Sequence, residues 1–107
     1  MELLEGERVL AFDLETTGVS TSRDRIVQLA LIGSDNDGTE ISYDQLVNPR
    51  RAIPYESQRI HGISDADVRG QPDFAEIAER VSELIDGCVL IGHNVRQFDL
   101  PMLRNEY

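Results

Sequence analysis

The run Val9-Leu10-Ala11-Phe12-Asp13-Leu14-Glu15-Thr16-Thr17-Gly18 constrains the fold more than any other stretch. Its first half is an apolar segment of strand length, and Thr-Thr-Gly reads as the turn that ends it. Alternate strand side chains point to opposite faces, so Asp13 and Glu15 share one face while Phe12 and Leu14 take the other. Two carboxylates side by side at the end of an apolar strand repel each other and lose hydration, which is costly for unpaired charge. A hard divalent cation such as Mg²⁺ or Mn²⁺, which prefers oxygen ligands, removes that cost. The alternative is a strand end that lies in solvent, with both acids simply hydrated.

Length and composition bound the rest. A chain of 107 residues is one domain at most, and 40% apolar with 28% charged residues suits an ordinary globular protein. No apolar run approaches the roughly 18 residues of a membrane span. The acidic amino end, Met1 to Glu7, is unlike a secretory signal, and the single Cys88 suits a reducing cytoplasm, so a cytoplasmic location is expected. Net charge is −10 and every basic residue is arginine. That balance argues against broad electrostatic capture of nucleic acid or anionic membrane, but it leaves room for a nucleic-acid enzyme whose acidic site is neutralised by metal.

Strands are expected at about 8–15, 25–34 and 39–47. Ser34-Asp35-Asn36-Asp37-Gly38 forms a hairpin turn, and Asn48-Pro49 ends the third strand. Short helical turns follow between Ile53 and Val68, with Pro54 at a start, His61-Gly62 at an end and Ser64 as a cap. Phe74, Ile77, Ala78, Val81, Leu84 and Ile85 give an amphipathic helix over about 73–85. Cys88 to Gly92 reads as a short buried strand, and 95–107 as a final helix that tolerates Pro101 only in its first turn. The order predicts a mixed α/β layer fold, with strand four returning parallel beside strand one. Asp99 would then meet Asp13 and Glu15 at one end of the sheet. Three carboxylates gathered there can hold two metal ions about 3.5–4 Å apart, the clamp used for displacement at phosphorus.

On these residues the chain resembles the DEDD superfamily of 3′→5′ exonucleases. The nearest branch is the one with a catalytic histidine (DEDDh), which includes the proofreading epsilon subunits of bacterial replicative polymerases. Phe12 to Gly18 matches the first acidic motif, His93 to Asp99 the second, and Val47-Asn48-Pro49 with Ile60-His61-Gly62-Ile63-Ser64 the signature between them. The resemblance implies a ribonuclease H-like fold, a five-stranded mixed sheet with helices on both faces. It makes Asp13, Glu15 and Asp99 catalytic metal ligands for two Mg²⁺ or Mn²⁺ ions. Thr16, Thr17 and Gly18 would contact the 3′-terminal nucleotide, with His61 and Asn94 nearby. The implied substrates are single-stranded 3′ ends of DNA or RNA.

One departure is large. The superfamily branch carries a later His-x₄-Asp motif that supplies the general base and a fourth carboxylate, and this sequence has none. Residues 1–107 are therefore expected to be the amino-terminal portion of a single exonuclease domain without its C-terminal strand and helices, or a chain completed by a partner. Alone they are expected to turn over little substrate. A different class of function, a non-catalytic module that binds nucleic acid or a polymerase, stays open. A phosphatase with an aspartate nucleophile is disfavoured, because Glu15 breaks the usual Asp-x-Asp-x-Thr opening and such enzymes need a lysine.

Overall fold

A computed structural model describes residues 8–35, 37–92 and 95–107. Its strands are β1 (Arg8–Thr16), β2 (Ile26–Ser34), β3 (Glu40–Leu46) and β4 (Cys88–Ile91); its helices are α1 (Tyr55–His61), α2 (Asp65–Val68), α3 (Phe74–Ile85) and α4 (Leu100–Glu106). Among the described residues the strands form one mixed sheet in the order β3-β2-β1-β4. β1 is antiparallel to β2 and parallel to β4. This is the mixed α/β architecture expected, within a ribonuclease H-like fold. The fifth strand of the resemblance is not among the described elements.

Alternation along β1 sorts the two faces. Leu10, Phe12 and Leu14 are buried and pair with Gly33, Leu31 and Leu29 of β2. Against that face pack Phe74, Ile77, Val81 and Leu84 of α3 and Met102 and Leu103 of α4. Each such burial contributes about 1.5–3 kcal/mol. A bulge at Glu15/Thr16 breaks the ladder opposite Val27. Val27 packs instead with Leu46, Ile53, Ile63 and Val68, which seats α1 and α2 on the opposite face, at one end only. Among the described residues the rest of that face is uncovered: Ala11 lies between Ile32 and Ile91, which are 54% and 47% exposed.

Local chemistry sets the helix ends. Gly62 takes the left-handed conformation (φ 76°) that closes α1, and its N–H donates to the Gln58 carbonyl at 2.8 Å. Ser64 with Asp67, and Asp73 with Glu76, form reciprocal capping boxes at α2 and α3. At the other end of α3, the Arg8 guanidinium donates to the carbonyls of Asp86 (2.7 Å) and Leu84 (3.3 Å).

Two expectations need correction. β4 is not buried: Cys88 to Leu90 are half-buried and Ile91 is exposed, because among the described residues the strand pairs only with β1 and lies at the sheet edge. Nor is 95–107 one helix. Val95–Asp99 forms a wide π turn before α4 starts, with Pro101 inside the first turn of α4. Proline has no N–H to donate and its ring clashes with the carbonyl four residues back, so the chain widens there.

Gly33 is fixed by backbone crowding. A Cβ at this position would sit 1.9 Å from the Val9 carbonyl oxygen and 2.9 Å from the Leu10 Cα. Gly33→Ala is expected to destabilise the protein by roughly 1–3 kcal/mol or more, read as a lower urea midpoint with an unchanged slope. An unchanged midpoint would contradict the tight β1–β2 approach.

Candidate active site

The parallel pairing of Arg8–Ala11 with Cys88–Ile91 sends both strands toward the same end of the sheet. β1 continues past that pairing to Asp13 and Glu15. β4 leads into the π turn, which returns against β1. Asp13 is exposed and lines a shallow hollow with Ala11, Ala30, Ile32 and Gly92. Glu15, half-buried, lines a deeper cleft of about 500 Å³ with Leu14, Thr16 to Val19, Pro54, Ser57, Ile60, His61 and Phe98. Among the described residues neither carboxylate has a hydrogen bond or ion pair. Asp99, directly after Phe98, is buried at 6% exposure. The structure thus brings Glu15, Thr16, Thr17, Gly18 and His61 to one cleft; Asp13 lines the neighbouring hollow, and the buried Asp99 lines neither. Asn94, and His93 before it, lie outside the described residues.

The donor set is a carboxylate pair with a third acid on the adjoining turn. Among the described residues no group of three or more His, Cys, Asp or Glu side chains is gathered closely enough to hold an ion. The Asp13–Glu15 pair itself suits a hard cation: its oxygens are on one strand face and no described group neutralises them.

The cleft floor is held by hydrogen bonds. The carbonyls of three successive residues each accept one from a side chain: Thr16 from His61 Nε2 (3.0 Å), Thr17 from Ser57 Oγ (2.6 Å) and Gly18 from Thr16 Oγ1 (2.6 Å). The Ile63 N–H donates to His61 Nδ1 at 3.0 Å, so the ring proton sits on Nε2 and points at Thr16. His61 therefore has no free nitrogen for proton transfer; only its ring faces the cleft. Thr17 lines the cleft and is buried; its hydroxyl donates to Asp24 Oδ1 (3.0 Å) and accepts from the Arg25 N–H (2.9 Å), and its own N–H donates to the Arg25 carbonyl (2.8 Å). It shapes the turn. The Gly18 N–H, by contrast, has no acceptor among the described residues.

Asp24 and Ser57 belong to this site and are not evident from the motifs, and Phe98, inside the second motif, is not singled out by it. Asp24 also accepts from the Ser20 N–H (2.8 Å), and its carboxylate lies where a Cβ on Gly18 would be, 2.5 Å away. An aspartate in a polar turn is the signal it offers, and that signal is generic.

With this geometry in view, comparisons with known proteins decide the family. The RNase_T family model, described as "Exonuclease", matches residues 10–107. The chain belongs to the exonuclease family. It is 42% identical over 101 residues to a DNA polymerase III subunit epsilon-like protein of Rhodobacter capsulatus, covering 91% of this chain and 14% of the relative. It is 38% identical to the DNA polymerase III subunit epsilon of Treponema pallidum (90% and 44%) and 33% identical to the 3′-5′ exonuclease DinG of Bacillus subtilis (94% and 11%). The chain thus spans less than half the length of these relatives. Among solved structures it resembles E. coli exonuclease I in complex with a dA16 oligonucleotide, at TM-score 0.81 and 25% identity, over 94% of this chain and 23% of that one. The exonuclease domain is homologous to a 3′-5′ exonuclease and to DNA polymerase III epsilon subunits. Among the described residues no helix is long and apolar enough to cross a membrane.

Thr17→Val keeps the shape but strips the partner from Asp24 Oδ1 and from the Arg25 N–H. A loss of roughly 1–3 kcal/mol is expected in chemical denaturation. A variant as stable as the parent would show that the turn does not depend on this clamp.

Proposed function

We propose that this chain carries the cation-binding pair and the terminal-nucleotide cleft of a metal-dependent 3′→5′ exonuclease. The enzyme would release mononucleotides from single-stranded 3′ ends of DNA or RNA. The observation that carries the reading is the unpartnered Asp13–Glu15 pair beside a cleft of nucleotide size. Asp13 and Glu15 would hold the first Mg²⁺ or Mn²⁺, and Asp99, on the turn that follows β4, would complete a site for two ions. Such ions supply Lewis-acid activation and charge stabilisation for displacement at phosphorus.

The other roles follow from the chain's own groups. The Gly18 N–H is positioned to donate to an oxygen of the terminal sugar. His61 keeps the turn in place through the Thr16 carbonyl while its ring forms part of the wall, and Ile60, Val19 and Phe98 offer apolar surface to a base. Asn94 is assigned to the same nucleotide by the motif it stands in. The general-base histidine and a fourth carboxylate would come from a part of the protein following residues 1–107, or from a second chain. Residues 1–107 are on this reading the amino-terminal portion of the catalytic domain. Contact with single-stranded DNA is supported by the oligonucleotide complexes of exonuclease I, and association with a polymerase by the epsilon-subunit relatives. A cytoplasmic setting fits these partners.

The test is Asp13→Asn in the intact protein, assayed on 3′-labelled single strands with Mn²⁺ or Mg²⁺. Mononucleotide release is expected to fall on the order of 10³-fold or more, as several kcal/mol of transition-state stabilisation is lost. Retained activity would overturn the assignment.

A further inference from the structure

The two halves of the proposed site come from distant parts of the chain, and one buried side chain joins them. Glu106, the last residue of α4, has a side chain only 4% exposed. Its Oε1 accepts from Arg25 Nη1 at 2.9 Å and its Oε2 from the Ile26 N–H at 2.7 Å, across 80 residues of sequence. Arg25 is in turn bonded through both backbone groups to Thr17, in the floor of the cleft. At its other end α4 starts directly after Asp99 and Phe98. A helix is a stiff rod, so pinning Glu106 fixes where Asp99 enters the site.

We infer that Glu106 is a positioning residue, whose bidentate grip on Arg25 and Ile26 sets the spacing between Asp99 and the Asp13–Glu15 edge. The inference rests on the proposed role of those three acids as cation ligands. α4 has a second, independent anchor: the Tyr107 hydroxyl bonds Ser82 Oγ (2.6 Å) and the Ala78 carbonyl (3.0 Å), and its ring packs edge-on against Phe74. That anchor holds α4 to α3 and does not touch the cleft turn, so it provides a control.

Mn²⁺ binding to the intact protein, measured by calorimetry, tests the inference. Glu106→Gln puts an amide NH₂ against one of the two donors, and it is expected to weaken Mn²⁺ binding roughly 10-fold or more, as loss of groups that orient metal ligands does. Ser82→Ala is expected to lower the melting temperature while leaving Mn²⁺ affinity unchanged. Unchanged affinity in Glu106→Gln, or an equal loss in Ser82→Ala, overturns the positioning role. If Glu106→Gln does not fold, Arg25→Gln, which keeps the Ile26 bond, decides by the same criterion. Asp99→Asn separates the two levels: no loss there overturns the ligand reading and this inference with it, while a loss there with none in Glu106→Gln overturns the positioning role alone.

Discussion

The parallel register of Arg8–Ala11 with Cys88–Ile91 is the constraint on which the site depends. Parallel strands need a long crossover, and the chain provides one in α3, whose apolar stripe closes the buried face. The pairing is only four residues long, and β4 is an edge. Its strength therefore comes from what surrounds it: Leu10 and Leu90 in the core, the Arg8 cap on α3, and the two anchors of α4. Because both strands run toward the same rim, the acids of β1 and the turn after β4 share one end of the sheet. An antiparallel return would have separated them.

A second constraint acts at the floor of the cleft. A tight turn at a strand end exposes carbonyls that would compete for any cation or repel a ligand oxygen. In this protein three of them are occupied by Thr16, Ser57 and His61, while the Gly18 N–H has no acceptor among the described residues. The bulge at Glu15/Thr16 cooperates with this arrangement by seating α1 next to the turn that its side chains satisfy. Asp13 and Glu15, on a strand of the sheet, thus lie at or beside a wall that is itself fixed by hydrogen bonds.

Much of this was legible in the sequence because it is local. Apolar runs and the hairpin turn between them marked β1 to β3, the 3.6-residue spacing marked α3, and Gly62 and Ser64 marked helix ends through chemistry confined to a few residues. Asp13 and Glu15 stood out because charge at the end of an apolar strand asks for an explanation. The tertiary partners were not legible. Nothing local shows that Ser57 reaches Thr17, that Glu106 reaches Ile26, or that Gly33 lies against the Val9 carbonyl. The bulge that reverses Val27 and the half-exposed state of β4 likewise depend on neighbours far along the chain. The partners of Thr17 are hidden for the same reason, since only the fold reveals that its hydroxyl and N–H are bonded to Asp24 and Arg25.

The most direct measurement is anomalous diffraction at the manganese edge from crystals of the intact protein grown with Mn²⁺. The account predicts anomalous density between the Asp13 and Glu15 carboxylates, with the Asp99 carboxylate approaching the same density from the turn that follows β4. Density confined to other surface acids, or an Asp99 turned to the far rim of the sheet, would contradict it.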